Sequence, residues 1–183
     1  MYPYLRLART MLKSKTKPPL TIQDVSILPM RVCLVDIDPF WELNNGRHLT
    51  MMDFGRFEMA MRLGLLKAVK KNKWGLAVAG SSVRYRHRLK LFQKYELSTQ
   101  IVGADDRWIY FHQQTLREGK IHSAALIRTG VTSKNGLVKT SEVMKALNIN
   151  IALNPLPDWV AAWSEADELR PWIPNTPDNN EFE

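Results

Sequence analysis

Cysteine is almost absent, with Cys33 alone among 183 residues. No internal disulfide can form, which suits a reducing, cytoplasmic compartment. Cys33 lies between Val32 and Leu34 and reads as a small buried hydrophobe, not an activated thiolate. Long apolar runs are missing too, and none approaches the ~18 residues of a membrane-spanning helix. The chain has four histidines, scattered at His48, His87, His112 and His122, with no metal-ligand spacing. No acid precedes Asp24.

The acid-poor start carries Arg6, Arg9, Lys13, Lys15 and Lys17, which interrupt its apolar residues and exclude a signal-peptide core. Leu5, Ala8 and Leu12 sit near helical spacing. The segment therefore reads as a short amphipathic helix docked on the domain or on a subunit interface. Weak contact with an anionic membrane and a transit-peptide role are the alternatives.

What is present fits one compact domain: 45% hydrophobic residues, 24% charged, and no internal repeat. The net charge of +8 favours anionic partners, whether nucleic acid, acidic lipid or a phosphorylated cofactor.

Residues 27–38 read as a strand rich in branched apolar side chains, and residues 39–46 as a loop. A long helix is expected from about Arg47 to Lys71, with Asn44 or Asn45 as N-cap. Its apolar residues, including Met51, Met52, Phe54, Phe57, Met59 and Leu63, point to more than one side, the mark of a buried helix. Strands follow at 76–91, 94–103, 107–117 and 120–133, with turns at Asp105-Asp106 and Glu118-Gly119. Val83, Tyr85, His87, Leu89 and Leu91 alternate with Arg84, Arg86, Arg88 and Lys90, predicting one packed and one basic face. Short helices are expected at Ser141–Leu147 and Asp158–Leu169, the latter with Asp158 as N-cap. A helix buried among antiparallel strands is an α+β solution in which the sheet must curve around the helix.

The stretch Asp36-Ile37-Asp38-Pro39-Phe40-Trp41-Glu42-Leu43-Asn44-Asn45-Gly46-Arg47-His48 carries the chemistry. It sets a carboxylate at a strand end, then a short loop, then a helix N-terminus. Helix N-termini present free N–H groups and partial positive charge, able to hold an oxyanion. A nearby carboxylate can activate water or attack directly. The same residues also make an ordinary strand-ending turn and helix entry, so they leave both readings open.

This stretch resembles the hotdog-fold acyl-CoA thioesterases of the 4-hydroxybenzoyl-CoA thioesterase type. The family pattern is Asp-x-Asp, two variable residues, often Gly-His, an apolar residue and Asn-Asn. Asp36, Asp38, Leu43, Asn44 and Asn45 keep that register. The likeness covers roughly residues 25–135 and includes the basic strand Arg84-Tyr85-Arg86. Trp41-Glu42 stands where the family often has Gly-His, and His48 where it often has Tyr.

The resemblance implies a hotdog fold, a long central helix wrapped by a curved antiparallel β-sheet. It implies Asp38 as the catalytic carboxylate and oxyanion or substrate-positioning groups at Asn45, Gly46, Arg47 and His48. The substrate would be an acyl group on coenzyme A, with no metal or further cofactor. The assembly would be a homodimer, or a dimer of dimers. Glu42, Asp53 and Glu58 are secondary acid candidates, although Glu58–Arg62 and Asp53–Arg56 also have the spacing of helix-surface ion pairs. Arg84, Arg86, Arg88 and Lys90 suit coenzyme A phosphates. With little aromatic interleaving they make a weak nucleic-acid signal, so no nucleic acid is expected, and a solvated sheet face is the plain alternative. The chain divides into a basic segment at 1–20, a hotdog domain at 21–140 and a C-terminal helical extension and tail at 141–183.

Overall fold

The computed structural model describes residues 2–149 and 155–172. Its helices are α1 (Tyr4–Ser14), α2 (Asn45–Arg62), α3 (Leu65–Asn72), α4 (Thr140–Ala146) and α5 (Asp158–Glu168). Its strands are β1 (Val25–Arg31), β2 (Gly75–Tyr85), β3 (Lys94–Ala104), β4 (Ile109–Arg117), β5 (Lys120–Ser133) and β6 (Gly136–Val138). Among the described residues the strands form one antiparallel sheet, ordered β1-β3-β4-β5-β2, with β6 also on β5. The expected central helix wrapped by a curved sheet is present.

Strand alternation gives this sheet two faces. Ile109, Phe111, Ala125 and Ile127 point inward to the main core, where Met51, Met52, Phe54 and Met59 of α2 are fully buried. Between them, Tyr110 and Leu126 point outward and meet Val160 and Trp163 of α5. The outer face is thus covered by the chain's own C-terminal helix. Arg128 anchors it: its guanidinium lies 5.4 Å from both the Trp108 and Trp163 rings and pairs with Asp167 and Glu168. Cation–π and ionic contacts act together there.

Several elements depart from the expected boundaries. The first strand stops at Arg31, not Asp38. Residues 34–36 instead form a 3-10 turn in which the Asp36 carboxylate accepts from the Cys33 amide at 3.0 Å. Asp36 is buried and its other partner is Arg6 of α1, so this acid fastens α1 to the domain. Cys33 itself is only half-buried. The expected helix at 47–71 is two helices, because Gly64 adopts φ 82°, a left-handed value that ends α2. The expected strand at 76–91 ends at Tyr85. Beyond it, the amides of Arg86 and His87 both donate to the His122 carbonyl and turn the chain away. The predicted alternation therefore fails: Tyr85 and His87 are exposed, and only Leu89 of that part is buried. Pro157, not Asp158, occupies the N-cap of α5. The turn at Glu118-Gly119 is as expected, with both residues at positive φ, as a two-residue hairpin requires.

The charge pair expected on the surface of α2 is in fact buried. Glu58 has no exposed side-chain surface and receives Lys17 at 2.9 Å, Arg62 at 3.0 Å and the Ser26 hydroxyl. Burial alone would raise its pKa, but these three donors outweigh burial and hold it below the ordinary carboxylate value. Lys17 follows α1, and Ser26 lies on β1, so one carboxylate ties three segments together.

Gly55 marks the closest approach of α2 to the sheet. An added Cβ would lie 2.9 Å from Gln113 Nε2 and closer still to Thr99 Oγ1. Gly55→Ala is expected to cost about 1–3 kcal/mol through overpacking, read as a shift in the urea midpoint. A second expectation concerns acid. A carboxylate with a depressed folded pKa contributes stability above its unfolded pKa and loses it as pH falls through the folded value. Glu58→Gln should therefore flatten the acid limb of the stability–pH profile, and an unchanged limb would remove Glu58 from that role.

Candidate active site

Asp38 sits in a tight hairpin between the 3-10 turn and α2. Its carbonyl accepts from Trp41 N at 3.0 Å, and its amide donates to the Glu42 carbonyl at 2.9 Å. Its Oδ1 accepts from Phe40 N at 2.9 Å and more loosely from Glu42 N at 3.4 Å. One carboxylate oxygen thus holds the loop, an arrangement typical of aspartate at turns. The other makes no hydrogen bond among the described residues.

Trp41 explains what the family's glycine does at this position. It has φ 60°, the left-handed region that favours glycine, and its side chain is 63% exposed. Its amide closes the turn at residues 38–41, and it is the last loop residue, where a three-residue hairpin needs a left-handed conformation. Phe40 beside it is also exposed. The indole lies outside the core, so the bulk of Trp41 lies at the hairpin tip.

Asn44 organises the helix start. Its amide donates to the Asp36 carbonyl at 2.9 Å. Its Oδ1 accepts from Gly46 N at 2.9 Å, and its carbonyl accepts from Arg47 N at 2.8 Å and His48 N at 3.0 Å. The amides of Gly46, Arg47 and His48 are therefore bonded within the helix start. The first-turn amide with no acceptor among the described residues is that of Asn45. Asn44 is the N-cap, as one of the two expected alternatives.

Asn45 and His48 line one small cavity of about 140 Å³ with Glu42, Tyr85, Arg86 and Arg88. His48 is 4% exposed, and its Nδ1 lies 3.1 Å from Ser123 Oγ. The Tyr85 ring packs edge-on against it at 5.1 Å, while the Tyr85 hydroxyl donates to the Asn45 carbonyl at 3.1 Å. Burial, and secondarily the His122 charge, push the His48 pKa down to about 4. Sequence reasoning placed His48 here but missed Ser123, which comes from β5 and has no motif of its own.

The basic residues split between two elements. Arg84 lies on β2, whereas Arg86, Arg88 and Lys90 lie in the loop after it, and all four are exposed. Arg88 Nε lies 2.9 Å from Glu42 Oε2, so this secondary acid is already neutralised. Asp53 likewise pairs with Arg56, whose guanidinium also reaches Gln113 Oε1. Burial raises the Asp53 pKa against the opposing charge of Arg56. The structure brings Asn45, His48, Glu42, Arg86 and Arg88 together. Asp53 instead borders a separate apolar cavity of about 240 Å³, lined by Phe57, Leu65, Leu76, Val78 and Phe111. Glu58 borders neither cavity. Among the described residues no cluster of His, Cys, Asp and Glu could hold a metal ion, and no helix is long and apolar enough to cross a membrane.

The model of the thioesterase-like superfamily matches residues 32–164. Protein THEM6 of Drosophila melanogaster is 32% identical over 137 residues, which are 73% of this chain and 69% of that protein. Two solved structures from Staphylococcus aureus are similar in fold. A DHNA-CoA thioesterase gives a TM-score of 0.59 at 15% identity, covering 79% of this chain and 92% of that one. A hypothetical protein in complex with CoA gives 0.62 at 13% identity, covering 77% and 94%.

The hairpin geometry generates one expectation. A left-handed non-glycine residue costs about 1–2 kcal/mol, whereas glycine adds roughly 0.5–1 kcal/mol of chain entropy to the unfolded state. Trp41→Gly should therefore leave the unfolding free energy within about 1 kcal/mol of the parent, despite losing a whole indole. A loss beyond twice that in denaturant titration would mean the exposed ring is packing on something.

Proposed function

The chain belongs to the thioesterase-like superfamily, and on that footing we propose that it hydrolyses acyl-CoA thioesters to a free acid and coenzyme A, with Asp38 as its catalytic carboxylate. The observation that carries this reading is the presence of two unspent groups on the two sides of one hairpin–helix junction. These are the second oxygen of Asp38 and the amide of Asn45.

As general base, Asp38 takes a proton from water while the water oxygen attacks the thioester carbonyl carbon. The carbonyl oxygen becomes an oxyanion, and the Asn45 amide at the positive end of α2 stabilises it. The C–S bond then breaks, and the coenzyme A thiolate recovers a proton from Asp38. In the nucleophilic variant the Asp38 oxygen attacks first and water cleaves the resulting anhydride. Arg86 and Arg88 border the cavity of Asn45 and His48, which Asp38 does not line, and are exposed, which supports phosphate recognition by the basic loop, with Arg84 and Lys90 flanking it.

The reading extends to assembly. Among the described residues β2 has a partner on one edge only, β5. Its Leu76 and Val78 are 42% and 55% exposed, and an uncovered apolar edge strand invites pairing with another copy. The proposed assembly is a homodimer through β2. The cover that α5 gives the outer face argues against stacking two such dimers on that face.

A second reading, a binding module without turnover, draws on one observation: Asp38 Oδ1 already serves the hairpin. Free-thiol release from a panel of acyl-CoAs separates the two. Asp38→Asn is expected to lower kcat by about 100-fold or more while coenzyme A binding persists. Equal turnover by the mutant would sink the role of Asp38. Tight acyl-CoA binding with no thiol release from the parent would favour the binding module. Light scattering tests the assembly: Leu76→Glu with Val78→Glu should give a folded monomer, and an unchanged dimer would place the interface elsewhere.

A further inference from the structure

We infer that His48 is a second hydrogen-bond donor to the thioester oxygen, acting as a neutral imidazole with its proton on Nε2, and that Ser123 and Thr115 are positioning residues that fix this tautomer. The identity of the acceptor rests on the thioesterase reading. The tautomer rests on buried hydrogen bonds alone.

The proton order follows from counting. Thr115 and Ser123 are both fully buried. Thr115 Oγ1 accepts from the Ser123 amide at 3.0 Å and lies 2.8 Å from Ser123 Oγ. A hydroxyl has one proton to give, and a buried proton needs an acceptor. Ser123 Oγ is the acceptor that Thr115 has among the described residues. Having accepted there, Ser123 Oγ sends its own proton to its remaining neighbour, His48 Nδ1, at 3.1 Å. Nδ1 is then an acceptor, and the single proton of a neutral imidazole sits on Nε2. The opposite order, with Nδ1–H donating to Ser123, sends the Ser123 proton to Thr115. That leaves the Thr115 proton buried without an acceptor, the costlier arrangement.

The donor end of the ring belongs to the candidate site. His48 lies one helical turn from Asn45 on the same face of α2, and both line the small cavity. Nδ1 is engaged on the β5 side, and Nε2 makes no hydrogen bond among the described residues. The groups facing the ring are the Tyr85 edge and the His122 charge, and neither draws a second proton onto it. Burial of the ring keeps it neutral at physiological pH. A neutral donor needs no reprotonation between turnovers, and it gains strength as charge develops on the acceptor oxygen.

Long-range 15N NMR of the full-length, imidazole-labelled protein at pH 7 tests the tautomer, with His48→Gln assigning the signal. The expected pattern is a protonated Nε2 and an unprotonated Nδ1. Ser123→Ala and Thr115→Val should mix the two tautomers. Ser123→Ala should also lower kcat by about tenfold, the effect of one misdirected hydrogen bond, with KM changed less than about twofold. A proton resident on Nδ1 in the parent overturns the inference, and so does a tautomer unmoved by both variants. If either variant fails to fold, the parent spectrum still decides. The two failures are distinct: Nδ1–H in an enzyme that releases thiol refutes the positioning role, whereas no thiol release refutes the thioesterase reading and with it the donor role.

Discussion

Asn44 is the knot on which the site depends. Its amide reaches back to Asp36, its side chain caps the first turn of α2, and its carbonyl accepts two further amides. The 3-10 turn, hairpin and helix start are thereby tied to one another, and the Leu43 amide, bonded to the Leu89 carbonyl at 2.7 Å, ties them to the loop after β2. Among the described residues the cap spends all of the first-turn amides but one. What remains is a single donor, at Asn45, next to a hairpin whose carboxylate has one oxygen to spare. Helix capping and oxyanion binding draw on the same small stock of N–H groups, and here they divide it.

Much of this was legible in the chain. The Asp36–Asn45 register, the all-round apolarity of residues 51–66 and the turn residues at Glu118-Gly119 led to the correct architecture. The failures have physical reasons. Branched apolar residues at 32–35 look like strand, but Asp36 bonds the Cys33 amide and Arg6 and curls them into a turn. Arginine alternation at 84–90 looks like strand, but the His122 carbonyl captures two successive amides and ends it. Glu58 has the spacing of a surface ion pair, yet Lys17 and Ser26 arrive from segments more than thirty residues away. Side-chain partners distant in sequence leave no local pattern. Ser123 beside His48 is the same case within the site.

The N-terminal helix is held by charge at both ends. Arg6 meets buried Asp36 near its start, and Lys17, just after it, meets buried Glu58. Part of the basic surplus that suggested an anionic partner is therefore consumed inside the protein. The remainder includes exposed Arg86 beside the candidate site, whose neighbour Arg88 is engaged by Glu42.

The bare edge of β2 also has a history in time. β2 pairs with β5, whose register spans Ser123 to Thr132, so the strand emerges during synthesis well before its partner exists. Until β5 arrives, both edges of an apolar, nearly uncharged segment lack a mate. Such non-local pairing is slow to form and prone to misassociation. The surface proposed to join two mature copies is therefore also the stretch most at risk while the chain is half made. Conditions that slow synthesis between residues 85 and 123 should tell on yield before they tell on the stability of the finished protein.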